Sequence, residues 1–192
     1  MNKKIKKILD KKNKSKIVCL TAYSKSIASI LDKFVDIILV GDSMANVLYG
    51  HKNTHKISLK NILQHTSSVK MGVNNSLLVV DMPKGSYQNI KIAHKNVKLV
   101  INKTKCDAIK LESNGKNYKI IESLVKKKIP VMGHIGYTPQ FKKKVLVEGQ
   151  TKSDTNKLLK EAQSIEKAGA FSIVLECLTP SSAKIITNKL SI

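Results

Sequence analysis

Six short apolar runs, separated by longer stretches with helical periodicity, constrain the fold of this chain more than any other feature. Each run is nearly continuous in Val, Ile and Leu, which is typical of a strand that is covered on both faces in a parallel sheet. The runs lie at residues 16–21, 36–41, 77–81, 107–112, 129–134 and 171–176. Their alternation predicts an α/β fold of repeated βα units, and since no linker divides the sequence, it predicts a single domain over residues 1–192.

Amphipathic helices are predicted between the strands, at residues 24–34, 58–71 and 153–168. The first is expected to bury an apolar face that consists of Ile27, Ile30, Leu31 and Phe34. Expected end signals are the N-caps Ser24 and Ser58, the C-terminal Gly169, and Pro180 at the start of a last helix. The Lys-rich segment 1–15 has apolar residues at helical spacing and is expected to be a surface helix rather than a targeting peptide.

Charge and composition limit the classes of function. The net charge is +22, and all 35 basic residues are lysines spread over the whole length. Such a charge can indicate nucleic-acid binding, but with three Phe and five Tyr to stack on bases we interpret it as solvated helix faces. No apolar run is long enough for a membrane helix, and the chain is expected to be soluble and cytoplasmic. Its three cysteines are far apart, and we expect reduced, buried thiols.

Ionisable residues end five of the six predicted strands. They are Asp42, Asp81, Lys110 with Glu112, His134 and Glu176. The strands of a parallel barrel all point the same way, so their C-terminal ends meet on one face. This arrangement predicts an active site made of residues that are distant in sequence.

Each of these residues also has a purely structural interpretation. Asp42 and Asp81 could cap the helices that follow them, and Lys110 and Glu112, which share a strand face, could form an interior ion pair. His134 could be a hydrogen-bonded interior histidine. Three carboxylates at one mouth would repel one another, however, and would favour a hard divalent cation, for which Mg²⁺ is the natural candidate.

Several motifs resemble those of the ketopantoate hydroxymethyltransferase family (3-methyl-2-oxobutanoate hydroxymethyltransferase). They occur in the family's order and cover essentially the whole chain. The matching segments are Leu20-Thr21-Ala22-Tyr23, Gly41-Asp42-Ser43, Tyr49-Gly50-His51, Val80-Asp81-Met82-Pro83, Gly85-Ser86-Tyr87, Ile109-Lys110-Leu111-Glu112, Gly133-His134-Ile135-Gly136-Tyr137-Thr138-Pro139-Gln140 and Val174-Leu175-Glu176-Cys177. Departures from the family pattern are Ser24, Lys84 and the pair Ala45-Asn46.

The resemblance implies a TIM (β/α)8 barrel that transfers a hydroxymethyl group from 5,10-methylenetetrahydrofolate to 3-methyl-2-oxobutanoate in pantothenate synthesis. It implies the following roles. Asp42, Asp81 and Glu112 would form the Mg²⁺ site; Asp42, Ser43, Asp81 and Lys110 would hold the keto acid; Glu176 would accept the proton, with His134 beside it as a catalytic relay. It also implies a homo-oligomer, expected to be a decamer, with small-molecule partners and neither membrane nor nucleic acid.

The number of strands raises a question about completeness. Six of the eight βα units of such a barrel can be counted, so the barrel domain is expected to be C-terminally incomplete. Open sheet edges would make six units alone a marginal fold with negligible transfer activity. The alternatives are another Mg²⁺-dependent carbon–carbon lyase or transferase barrel for 2-oxo acids, a basic nucleic-acid-binding barrel, and an inactive fragment that assembles with other subunits.

Overall fold

The structure, a computed structural model, describes residues 2–192 and divides into two compact units, Met1–Lys110 and Leu111–Ile192. The prediction of a single domain over 1–192 stays a prediction. Within residues 2–192, no helix is both long and apolar enough to cross a membrane.

The first unit alternates strands and helices in the predicted order. Its elements are α1 Lys3–Leu9, β1 Cys19–Thr21, α2 Lys25–Leu31, β2 Ile37–Val40, α3 Met44–Val47, a short 3-10 helix Thr54–Lys56, α4 Leu59–Lys70, β3 Leu77–Asp81, α5 Ile90–Thr104 and the first part of β4 Ala108–Glu112. The neighbouring strands pair in parallel, with Val79 of β3 opposite both Leu39 and Ala108. Every residue of β3 is buried, so this strand lies in the core of the unit.

The second unit begins within β4 and repeats the same design. It contains α6 Tyr118–Lys126, β5 Val131–Gly136, α7 Lys152–Lys167, β6 Ser172–Glu176 and α8 Pro180–Lys189. Strand β6 pairs with β5 in parallel, with Val174 opposite His134. The end of β4 is also tied to β5, because the Ser113 N–H donates to the His134 carbonyl over 2.8 Å. All six predicted strands are therefore confirmed.

Most of the predicted helix ends are confirmed. Ser58 forms a capping box with Asn61 at the start of α4. Gly169 has a φ of +92°, the left-handed conformation that a residue following α7 needs. Pro180 occupies the first turn of α8, which Thr179 caps.

The predicted buried face of α2 is wrong. Ile27, Ile30 and Phe34 are 50, 59 and 75% exposed, whereas Ala28 is fully buried. The helix approaches Gly72 so closely that a Cβ there would collide with the backbone at Lys25 and Ser29. Because α2 packs through Ala28 and the backbone near Ser29, its large apolar side chains remain exposed to solvent. Ser24 makes no side-chain capping bond either.

Burial also differs from expectation in β1 and at the cysteines. All three residues of β1 are exposed and β6 is half-buried, so the interpretation of every strand as doubly covered is wrong for these two. All three cysteines are free, as expected, but only Cys106 is buried. Cys19 is exposed, like the other two residues of β1.

Candidate functional site

A buried ion pair joins the last residue of β3, Asp81, to the middle residue of β4, Lys110. The strand register places Asp81 directly opposite Lys110. The Lys110 ammonium lies 2.5 Å from Asp81 Oδ2, and the two residues are 5 and 1% exposed. Lys110 thus pairs with Asp81, whereas the sequence-based alternative paired it with Glu112.

One carboxylate oxygen of Asp81 is available to bind another group. Its Oδ1 atom is buried and accepts no hydrogen bond from any part of the chain that the structure describes. Among residues 2–192, no group of three or more His, Cys, Asp and Glu side chains lies close enough to hold a metal ion. A metal here would therefore rest on one or two carboxylates. Mg²⁺ often binds in that way, because it retains water and substrate oxygens in its octahedral shell.

Asp42 and Ser43 follow β2, at the same end of the unit's strands as Asp81. Asp42 is 3% exposed. The N-caps of α3 and α5 are Ser43 and Asn89, so neither Asp42 nor Asp81 caps the helix that follows it. The capping interpretation is therefore wrong for both carboxylates, and their burial requires another explanation.

The Ser43 hydroxyl does not cap α3 either. It forms a hydrogen bond of 2.8 Å with the hydroxyl of Tyr23, in the loop between β1 and α2. Gly41 permits this contact, since a Cβ on Gly41 would lie only 2.9 Å from Ser43 Oγ. The first unit thus collects two carboxylates, an ammonium and a paired hydroxyl at the ends of its strands.

In the second unit, His134 lies between two carboxylates. Its Nε2 atom is 3.1 Å from Glu176 Oε2, and its Nδ1 atom is 3.8 Å from Glu112 Oε1. His134 and Glu112 are buried, whereas the Glu176 side chain is 42% exposed. Glu112 is held in place because its Oε2 atom accepts the Gln140 N–H over 2.9 Å. This arrangement can move a proton between an exposed carboxylate and a buried imidazole.

The backbone at the end of β5 fixes the position of Glu176. Gly136 has a φ of +89°, and a Cβ there would collide with the Glu176 carbonyl oxygen. The next residue, Tyr137, donates its N–H to that carbonyl over 2.9 Å. Burial raises the pKa of the Tyr137 phenol, and the negative charges of Glu176 and Glu112 raise it further. Tyr137 therefore stays protonated near both acids.

The structure places the predicted residues in two groups. The first unit brings Asp81 and Lys110 into contact, and the second brings Glu112, His134 and Glu176 together. Sequence reasoning assigned no role to Tyr23, Tyr137 or Gln140. The sequence feature that could have identified them is their place in two family motifs. Tyr23 lies in Thr21-Ala22-Tyr23, and the other two lie in the motif that begins at Gly133.

Residues 2–192 match the sequence profile described as ketopantoate hydroxymethyltransferase. The chain belongs to the ketopantoate hydroxymethyltransferase family. It is 50% identical over 192 residues to the 3-methyl-2-oxobutanoate hydroxymethyltransferase of Pelagibacter ubique strain HTCC1062, covering 100% of this chain and 75% of that protein. The enzyme of the same name from Thermosipho africanus strain TCF52B is 46% identical, with 98 and 72% covered. Membership of the ketopantoate hydroxymethyltransferase family confirms an enzyme of pantothenate biosynthesis.

Solved structures with little sequence identity share the fold of this ketopantoate hydroxymethyltransferase family member. Phosphonopyruvate hydrolase in complex with oxalate and Mg²⁺ superposes with a TM-score of 0.71 at 14% identity, covering 97% of this chain and 68% of that one. A 2,3-dimethylmalate lyase of the PEP mutase/isocitrate lyase superfamily gives 0.71 at 11% identity, with 98 and 66% covered. These comparisons confirm the predicted fold class, a TIM-type barrel of which this chain carries six βα units.

Proposed function

We propose that this protein transfers the one-carbon unit of 5,10-methylenetetrahydrofolate to 3-methyl-2-oxobutanoate as a hydroxymethyl group, with water supplying the hydroxyl, giving 2-dehydropantoate and tetrahydrofolate. The family membership and the names of the relatives support this proposal. The observation that carries it is the buried Asp81–Lys110 pair, with a carboxylate oxygen of Asp81 left over. The Lys110 ammonium can bind an anionic group, and the unused Asp81 oxygen can bind a cation that in turn binds a carbonyl oxygen. This pair therefore suits a substrate that has both a carboxylate and a carbonyl group.

The residues of the first unit bind and orient the keto acid. Lys110 supplies positive charge for the anionic substrate, and the Ser43 hydroxyl donates a hydrogen bond to it. Asp42 and Asp81 would hold Mg²⁺. When bound, Mg²⁺ polarises the 2-oxo group, which acidifies the hydrogen at C3 and stabilises the enolate.

The residues of the second unit handle the proton. Glu176 accepts the C3 hydrogen as a general base, and its partial exposure allows it to exchange that proton with water. His134 contacts Glu176 through Nε2 and holds the proton or passes it on. Glu112 lies on the other side of the imidazole, with its Oε1 atom 3.8 Å from His134 Nδ1.

The setting of the enzyme is part of the proposal. We propose a cytoplasmic enzyme, where its three free cysteines would remain reduced. We further propose a homo-oligomer, a decamer by family resemblance, which acts on small molecules only.

The proposed enolisation can be tested without the folate. The protein, purified in the assembly that it forms in the cell, is incubated in deuterium oxide with Mg²⁺ and 3-methyl-2-oxobutanoate, and exchange at C3 is followed by NMR. Asp81→Asn should abolish Mg²⁺-dependent exchange, while Asp10→Asn, which removes an exposed carboxylate, should leave it unchanged. Unchanged far-UV circular dichroism shows that the Asp81 variant remains folded. Full exchange in that variant would refute the assignment of Asp81.

A carbon–carbon lyase is the competing activity for the same strand-end carboxylates. The two reactions differ in their need for a one-carbon donor. Formation of 2-dehydropantoate should require 5,10-methylenetetrahydrofolate and release one tetrahydrofolate for each product. Cleavage of a 2-oxo acid or of a hydroxy acid in the absence of folate would favour the lyase.

A further inference from the structure

Tyr23 contacts Ser43 but has no assigned role. The Tyr23 and Ser43 hydroxyl oxygens lie 2.8 Å apart, and either could donate. A serine hydroxyl has one hydrogen to donate and two lone pairs that accept. If Ser43 donates to Tyr23, it has no hydrogen left for a substrate. Ser43 can therefore donate to an anionic ligand only when the Tyr23 hydroxyl donates to it.

The Tyr23 backbone and ring are held by His65 of α4. The Tyr23 carbonyl lies 2.8 Å from His65 Nδ1 and can only accept, so the hydrogen is on Nδ1. The rings of Tyr23 and His65 meet edge to face, with centroids 6.3 Å apart. Tyr49 lies on the other side of the imidazole, its hydroxyl 2.9 Å from His65 Nε2. In the neutral imidazole Nε2 accepts, and Tyr49 is the donor.

These contacts leave the phenol of Tyr23 little freedom. The loop that carries it is anchored to α4 at its carbonyl and again where the Lys25 N–H donates to Ser68 over 3.1 Å. Gly41 leaves room for the Ser43 hydroxyl, because a Cβ at residue 41 would lie 2.9 Å from Ser43 Oγ. The Tyr23 hydroxyl that contacts Ser43 is thus positioned by contacts with α4, outside the turn to which Ser43 belongs.

We propose that Tyr23 is a positioning residue for keto-acid recognition: it donates to Ser43 and so directs the single Ser43 hydrogen to the substrate carboxylate. His65 maintains this direction by fixing the backbone and the ring of Tyr23. The inference rests on the proposed function, because it takes Ser43 as a binding residue for the keto acid. Hydrogen bonds in such a chain strengthen one another, since each donor polarises the next hydroxyl.

The test is a double-mutant cycle with Tyr23→Phe, Ser43→Ala and the double variant. Tyr23→Phe should raise KM for 3-methyl-2-oxobutanoate by about 3- to 10-fold, the typical worth of one neutral hydrogen bond. KM for 5,10-methylenetetrahydrofolate should be unchanged. In the Ser43→Ala background, adding Tyr23→Phe should change the keto-acid KM by less than about 2-fold, because residues that act through one another are not additive.

A matched control is available in the second unit. Tyr118→Phe also removes a phenol hydroxyl that hydrogen-bonds a serine, Ser113. It should leave both KM values at the wild-type level. Thermal unfolding of each variant shows whether a change in KM reflects lost stability.

The outcomes separate this inference from the proposed function. If the wild-type protein neither exchanges C3 nor forms 2-dehydropantoate, the proposed function fails and the inference with it. If the wild type is active and Tyr23→Phe does not change the keto-acid KM, the inference alone is overturned. An equal effect of Tyr23→Phe in both backgrounds would likewise overturn it, since that result assigns Tyr23 a packing role independent of Ser43.

Discussion

Asp81 and Lys110 place two opposite charges where water is almost excluded. Burying an ion pair costs desolvation free energy that the attraction repays only with good geometry, so such a pair is weak evidence for stability. Removing one partner alone is expected to cost about 3–5 kcal/mol, because the other charge is then buried without compensation. The spare oxygen of Asp81 explains the pair better as part of a binding site.

Glu176 provides the prediction at the scale of one residue. Glu176→Gln should lower kcat by about 10² or more, because glutamine cannot accept the C3 proton. The Mg²⁺ concentration for half-maximal activity should stay the same, since the proposed metal ligands are intact. Steady-state kinetics over a Mg²⁺ titration measures both quantities.

Glu122 of α6 is the matched control for this substitution. Its carboxylate is about half exposed and pairs with Lys126 one turn away. Glu122→Gln should leave kcat unaltered, because exposed pairs of this kind contribute little. A Glu176→Gln variant with wild-type turnover would show that another group removes the proton.

At the scale of elements, Asp32 ties the end of α2 to the segment that enters β3. Its buried carboxylate accepts the backbone N–H groups of Asn74, Asn75 and Ser76 over 2.8–3.0 Å. Burial raises the pKa of Asp32, but these hydrogen bonds outweigh it and the net pKa is lowered. The clamp holds the start of the strand that ends at Asp81.

This clamp gives a stability prediction with a defined pH dependence. Asp32→Asn should lower the free energy of unfolding at pH 7 by about 1.5–3 kcal/mol, the usual range for hydrogen bonds to a charged group. Because the folded pKa lies below the unfolded one, the ionised clamp contributes fully above the unfolded pKa of about 4. Its contribution is lost as the pH falls through the folded pKa.

Urea unfolding at several pH values measures the difference between wild type and Asp32→Asn. The difference should be constant from pH 7 to about pH 5 and should shrink below about pH 4. Asp10→Asn, at an exposed carboxylate, should stay within about 0.5 kcal/mol of wild type. A difference that grows on acidification would contradict the assigned direction of the pKa shift.

At the scale of the whole molecule, the chain exposes large apolar side chains on β1, on α2 and just after α2. The exposed fractions of these side chains range from 46% for Leu20 to 75% for Phe34, and those of Ile27 and Ile30 lie between these values. Each large apolar side chain that stays in water forgoes roughly 1.5–3 kcal/mol of burial. Contiguous exposed apolar residues favour association or aggregation.

We therefore expect residues 1–192, expressed alone, to self-associate and to enhance ANS fluorescence. The double substitution Ile30→Ser with Phe34→Ser should reduce both effects, while Lys33→Ser, at the exposed residue next to Phe34, should not. Sedimentation velocity over a concentration series and an ANS titration are the measurements. A monomer at tens of micromolar without ANS enhancement would refute the expectation.

The sequence by itself determined where the strands and most helix ends lie. A strand covered on both faces must be apolar throughout, and a capping serine or a terminal glycine acts within one turn, so these signals are local. The match to the family motifs likewise predicted adjacent roles for His134 and Glu176, which the structure places 3.1 Å apart.

Only the tertiary structure decided which groups meet. Lys110 pairs with Asp81 and Ser43 with Tyr23 because strand register and loop anchoring bring them together. The apolar residues of α2 stay exposed because the helix packs through Ala28 against the turn at Gly72. Periodicity states which side chains share a face, but it carries no information about which neighbour, if any, covers that face.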